Sequence, residues 1–167
     1  NRPDVLWTSR RPDGGSIGGG PGCTAFDGKI IAYGGSGASA RVFALNPFTG
    51  ALIWNQPANV TPAGFGTGSY FRIDDTYFGC VGGSGVGVFK TATGEFVARY
   101  DINTTRDGII ASHVPGSVMY WVSFYDAEDK MAIACTRNNT TNEPLAIAWD
   151  FSTPLSPKIK WTTVLPT

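Results

Sequence analysis

Charge is scarce in this 167-residue chain: Asp, Glu, Lys and Arg make up 16% of it, against roughly a quarter in an ordinary soluble domain. The 13 basic and 13 acidic residues cancel, and no run of like charge occurs. Nothing therefore supports an electrostatic partnership with nucleic acid or an anionic membrane surface. No apolar run approaches the roughly 18 residues of a membrane-crossing helix, so no membrane span is expected. His113 is the single histidine; a histidine-based metal cluster is excluded, and any catalytic triad would have to be built on it. Cysteine is sparse too. Cys23, Cys80 and Cys135 form no CxxC pair and offer no zinc or haem spacing. They read as small buried strand residues or, in a secreted protein, as one disulfide of unspecified pairing with one thiol left over. No helix of note is visible. The chain opens on Asn1 without a signal peptide, which fits a processed N-terminus, a fragment or an incomplete chain equally.

What fills the sequence instead is glycine, 22 residues of it, with 13% aromatics. That composition favours short strands joined by turns. Ala44-Leu-Asn-Pro-Phe-Thr-Gly-Ala-Leu-Ile-Trp54 reads as a strand end, a tight turn and a second strand. Asn46 and Pro47 suit the first two positions of a type I turn, and Gly50 supplies the positive φ that returns the chain. Around this hairpin, strands are predicted at Asp4–Thr8, Cys23–Phe26, Lys29–Tyr33, Arg41–Leu45 and Ala51–Trp54, with Asp27-Gly28 as a two-residue hairpin turn. The order then repeats: Ser69–Ile73, Thr76–Val81, Val86–Lys90, Glu95–Ala98. Gly-Gly-Ser-Gly tetrads at 34–37 and 82–85, and Thr-Gly pairs at 49–50 and 93–94, set a period in the forties. Four short strands per such period indicate a β-propeller blade.

A looser third copy has strands expected at Ile109–Val114, Val118–Phe124, Pro144–Trp149 and Lys158–Trp161. Tyr125 to Asn142 is then an insertion, and its apolar stretch Met131–Cys135 either adds a strand or takes over a blade position. The expected fold is all-β, a partial propeller of about three four-stranded blades (20–58, 67–102 and 108–165) plus one stray N-terminal outer strand at 4–9.

The hairpin resembles a known motif. Propellers of the pyrroloquinoline-quinone type carry a repeated tryptophan-docking pattern, Ala-x-Asp-x-x-Thr-Gly-x-x-x-Trp. Ala44, Asn46, Thr49, Gly50 and Trp54 occupy those positions, with Asn in place of Asp. The second repeat keeps Thr93 and Gly94 but has Val88, Lys90 and Ala98 elsewhere; the third keeps Ala148, Asp150 and Thr153, loses the glycine and reaches Trp161 three residues late. Trp7 resembles the tail of a copy whose beginning is absent. The resemblance implies a structural role, each ring packing between adjacent blades and each Thr-Gly turn joining the outer two strands. It does not bring quinone chemistry with it. Dehydrogenases of that family need a full propeller, a calcium held by acidic side chains, a catalytic carboxylate and often adjacent cysteines. This chain has about half the blades and no adjacent cysteines, so no catalytic, cofactor-binding or metal-ligating residue is assigned and no enzyme activity is expected.

Other polar groups have local explanations. Asp74-Asp75 falls at a hairpin turn, where acidic residues are common. Asp126-Ala-Glu-Asp129 offers oxygen ligands for calcium, but without the spaced ligand loop of calcium sites a solvated turn is the simpler reading. Thr24, Arg72 and His113 align on the first strand of each blade and would face a central channel, meeting water or a ligand. The Gly-Gly-Ser-Gly loops lack a following helix and lysine, and so are turns and not phosphate cradles.

N-glycosylation acceptors are more informative. Asn59-Val-Thr, Asn103-Thr-Thr, Asn138-Asn-Thr and Asn139-Thr-Thr all fit the pattern. All lie in expected loops, and Asn59 and Asn103 stand equally far past the end of the docking motif in successive repeats. N-linked glycans along one rim, on an extracellular or cell-surface protein, are the expectation. Three blades and a stray strand cannot close a ring, so completion is expected from missing sequence or from other copies of the chain in a head-to-tail, strand-exchanged filament. A non-catalytic scaffold or binding module of a secreted glycoprotein is the leading functional expectation. The alternatives are a fragment of a quinoprotein dehydrogenase whose active site lies outside this chain, and a scaffold for outer-membrane protein assembly.

Overall fold

A computed structural model describes residues 7–8, 23–34, 41–57, 70–82, 85–101, 118–137 and 143–166. Among them are twelve strands and no helix, hence no helix able to cross a membrane. β1 (Cys23–Phe26), β2 (Lys29–Gly34), β3 (Arg41–Leu45) and β4 (Leu52–Pro57) form the first sheet. β5 (Tyr70–Arg72), β6 (Tyr77–Gly82), β7 (Gly85–Lys90) and β8 (Phe96–Asp101) form the second. β9 (Val118–Asp126), β10 (Met131–Arg137), β11 (Pro144–Asp150) and β12 (Lys158–Val164) form the third. Every sheet is an antiparallel meander in sequence order. Its first and third turns therefore lie at one edge, and the second connection and the exit from the fourth strand at the other.

Short side chains close the first turn of each sheet. Asp27 and Gly28 both take positive φ, 51° and 64°, the backbone of a two-residue hairpin that matches strand twist. Lys29 reaches back to the Asp27 carboxylate at 2.8 Å and holds it below the usual carboxylate range. In the second sheet, Asp74 Oδ1 accepts from the backbone N–H groups of Thr76 (2.7 Å) and Tyr77 (2.8 Å). In the third, Asp126 Oδ1 accepts from Glu128 (2.9 Å) and Asp129 (3.1 Å). These acidic residues hold their own turns.

The third sheet decides between the two arrangements the sequence left open, with Met131–Cys135 taking a blade position. Met131–Arg137 is its second strand, paired on both sides, and Val118–Asp126 is the innermost one. The strand expected at Ile109–Val114 lies outside the described residues, and the sheet's first described strand starts at Val118. The physical reason is a strong local hairpin. Asp126 caps a four-residue turn ending in Lys130 at φ 51°, so Met131–Cys135 folds directly back onto the preceding strand.

The sheets stack face to face around two shared cores. Between the first and second lie Ile31, Val42, Ala44 and Trp54 from one side and Tyr70, Phe78, Cys80 and Phe89 from the other. Between the second and third lie Phe71, Ile73, Val86 and Val88 against Ala132, Leu145, Ile147, Trp149 and Phe151. A third cluster, Ala32, Phe43 and Leu45 with Ile30, covers the free side of the first sheet and meets Trp7. Alternation along β6 and β7 of the second sheet thus serves two interfaces rather than one core and one wet face.

All three cysteines are free thiols, exposed at 23, intermediate at 135 and buried at 80. Burial pushes the Cys80 thiol up to about 12, against a smaller downward pull from a hydrogen bond with Tyr70. Since the thiolate is the nucleophile, Cys80 should be silent toward a thiol-specific chromogenic reagent in the native protein at about pH 8. Cys23 should react at once, and Cys80 only at the rate of global unfolding. Fast modification of Cys80, read by peptide mass mapping, would contradict this packing.

Candidate functional site

The functional feature of the described residues is the way one sheet grips the next. It starts from the turn between third and fourth strands. In the first sheet the Gly50 N–H donates to Asn46 O at 2.9 Å, and Asn46 N–H to Ala51 O at 2.8 Å. In the second, Gly94 N–H donates to Lys90 O and Lys90 N–H to Glu95 O, both at 2.8 Å. Thr49 and Thr93 each offer Oγ1 to the N–H two residues on, at 3.3 Å. Asn46 Oδ1 adds bonds from Phe48 N–H (2.9 Å) and Thr49 N–H (3.0 Å), the acceptor work of an Asp without its charge. Lys90 cannot do that, and pairs instead with Glu95 across the turn mouth at 2.7 Å.

Both turns end on a glycine at φ 69° or 71° whose missing side chain is the binding surface for an indole. A Cβ on Gly50 would lie 2.5 Å from Trp7 Cε3, and one on Gly94 would lie 2.5 Å from Trp54 Cζ3. Each indole N–H then donates to the carbonyl of the turn's second residue: Trp7 to Pro47 O at 2.9 Å, Trp54 to Thr91 O at 3.2 Å. Gln56 Nε2 adds a bond to Thr93 O at 3.1 Å. Trp54 stacks near-parallel on Phe78, 6.1 Å between centroids, and Phe78 on Phe89 at 5.2 Å.

The bulge that aims the indole recurs in every sheet. Pairing of the outer two strands shifts between Ala44 and Leu45, between Val88 and Phe89, and between Ala148 and Trp149. This places Trp54, Ala98 and Trp161 opposite Ala44, Val88 and Ala148. Trp161 is late by sequence count but in register in space, because the longer turn after Asp150 absorbs the difference. Ile31, Ala44 and Trp54 stand side by side across β2, β3 and β4; Ile133, Ala148 and Trp161 repeat that ladder across β10, β11 and β12. Trp54 is 9% exposed and Trp161 38%.

No protein-family model matches the chain, and no curated protein matches it. Among solved structures, a europium-containing methanol dehydrogenase superposes on 86% of this chain with a TM-score of 0.58 at 18% sequence identity. The chain spans 31% of that protein's length. The three sheets are blades of a β-propeller. At this identity the likeness carries the fold and none of the activity.

The contact between blades two and three is built differently, and sequence reasoning missed it. Ala98 stands where the docking indole would be, and Thr153-Pro154 where the Thr-Gly would be, so donor and acceptor are lost together. In their place Phe71 packs against Tyr125 at 4.9 Å and Phe151 at 5.3 Å, and Tyr125 Oη–H donates to Ile73 O at 3.0 Å. Burial pushes the Tyr125 phenol up to about 12. Trp149, fully buried on blade three, supplies an indole from the opposite side, its N–H without a partner. The available signal was the simultaneous loss of Trp and Gly from two neighbouring repeats.

Of the remaining expected residues, Thr24 and Arg72 are among the described ones. Thr24 is half-buried on β1, and Arg72 is exposed on β5, where it pairs with Asp75. His113 and the acceptors Asn59, Asn103, Asn138 and Asn139 lie outside the described residues. Among the described residues no three metal-ligating side chains gather at one point.

The docking geometry makes a direct prediction. Gly28 also has left-handed backbone, but a Cβ there meets nothing within 4 Å, so Gly28→Ala should cost about 1–2 kcal/mol from backbone strain alone. Gly94→Ala should cost about 2–5 kcal/mol, strain plus overpacking against Trp54. Trp54→Ala should itself cost about 3–5 kcal/mol. In that background Gly94→Ala should fall back to the Gly28 value. Denaturant unfolding of the four variants reads the coupling, and simple additivity would refute the docking role.

Proposed function

We propose that this chain is a non-catalytic propeller module of a secreted or cell-surface glycoprotein, serving as a scaffold or binding surface. The observation that carries the reading is the separation of its two rims. The docking turns and the acid-capped hairpins all occupy one edge of the blades. β4, β8 and β10 all run to the opposite edge. The segments that leave them carry Asn59, Asn103 and the Asn138/Asn139 pair. Four acceptors departing from one rim would crowd that rim with glycans and leave the docking rim bare.

The superposition on a methanol dehydrogenase supports a second reading, a fragment of a quinoprotein dehydrogenase. Among the described residues, the acidic groups closest to such a role have local partners. Asp126 spends an oxygen on its own turn, Asp74 does likewise, and Arg72 engages Asp75. Purified native material containing quinone and showing dye-linked alcohol oxidation would favour that reading over the scaffold.

The glycoprotein reading is tested by treating native protein with an N-glycosidase and weighing it. The expected result is a loss of glycan mass, with Asn→Asp conversion at 59, 103 and one or both of 138 and 139. An unchanged mass would sink it.

A further inference from the structure

We propose that β1 is a releasable strap: the inner hairpin of blade one opens and closes while the rest of that blade stays docked on blade two.

Blades two and three tie the inner hairpin to the outer turn through a backbone hydrogen bond. The Thr91 N–H, in the blade-two docking turn, donates at 2.8 Å to Thr76 O, the carbonyl just before β6. The Phe151 N–H donates in the same way to Lys130 O, also at 2.8 Å, just before β10. Counted from the bulge in the outer strand pair, the matching residue of blade one is Pro47. The matching carbonyl, just before β2, is that of Gly28. Proline has no N–H to give, so blade one cannot make this tie.

The same hairpin is loosely held in other respects. Asp74 and Asp126 each accept two backbone N–H groups of their own turns. The Asp27 carboxylate instead meets exposed Lys29 Nζ, and an ion pair of that kind contributes little. No residue of β1 is buried, whereas Tyr70 and Phe71 of the equivalent strand β5 both are. The space around the turn is open, since a Cβ on Gly28 meets nothing within 4 Å. Phe26 holds the strand by a ring contact with Phe78, 5.8 Å between centroids. The inner strand of blade three, by contrast, is fastened to blade two by the Tyr125 hydrogen bond to Ile73 O.

Opening leaves the blade otherwise intact. Trp54 stays on Gly94, and β2, β3 and β4 keep their pairing, because none of those contacts passes through β1. What opening uncovers is the inner edge of β2 and the seat of Phe26 beside Phe78. Segments with few buried contacts are the ones that open below the free energy of global unfolding.

Native-state hydrogen exchange of the 167-residue chain, followed by NMR at several low urea concentrations, tests this. The β1–β2 ladder amides should exchange about 100-fold faster than those of β6–β7, at rates that low urea leaves unchanged. Pro47→Ala supplies the missing N–H and should slow β1–β2 exchange about fivefold, the worth of one hydrogen bond. Exchange of the β6–β7 ladder should stay about where it was, because losing the proline also frees the unfolded chain by a similar amount. If the variant fails to fold, the urea dependence of the intact chain decides alone. The proposal is overturned by β1–β2 amides that exchange only with global unfolding, or by a folded Pro47→Ala variant whose β1–β2 exchange is no slower.

Discussion

An indole lying flat on a bare glycine is the contact from which the stacking of the blades follows. Two blades can approach this closely only where one presents no Cβ, and a turn that ends at positive φ presents none at low cost. The large ring contributes the apolar area, and its single N–H finds a carbonyl that the same turn leaves pointing outward. The rest of the motif follows from this need. Thr49 and Thr93 tie down the residue after the glycine, and Asn46 ties down the turn's front. The bulge in the outer strand pair turns the ring toward the neighbour and not along its own sheet. Each element of the pattern positions either the ring or the vacancy it fills.

The second interface shows what happens when that contact is relaxed. With Ala98 offering no ring, no pressure keeps a glycine at 154, and proline is tolerated in the turn. The volume returns from the other side as Trp149 and Phe151, and Phe71 lies across Gly79 of its own blade to meet them. The two solutions bury comparable groups, yet only the first satisfies its indole N–H. Trp149 sits in its core without a hydrogen-bond partner, a cost of about 1–3 kcal/mol that packing must offset.

Much of this was legible from residues. The Asp27-Gly28 hairpin, the strands of the first two blades and the Thr-Gly turns have local causes, namely positive φ and period-two apolarity, which a linear reading detects. What escaped was set by tertiary register. Trp161 counts as misplaced along the chain, yet the turn from Asp150 to Pro157 loops out and restores the pairing with Ala148. Met131–Cys135 stayed undecided between an added strand and a blade position because its hairpin at Asp126–Lys130 lacks a glycine; the turn uses Lys130 in the left-handed region instead. The aromatic joint between blades two and three left no motif at all, since its members come from β5, β9 and the turn after β11.

How such a chain joins its neighbours depends on whether faces or edges are open, and the two differ here. Edge pairing needs a strand that offers a clean row of backbone groups. β4 ends in Pro57, which has no N–H to give, and β12 carries exposed Lys158 and Lys160, with Lys160 at its bulge. Charge, proline and bulge are the usual means of blunting an edge. On blade three Trp161 is exposed, while Ala148 opposite it and Ala146 are buried. With β4 and β12 blunted in this way, pairing through those two edges is disfavoured, and sheets meet through their faces, as they do in the two shared cores.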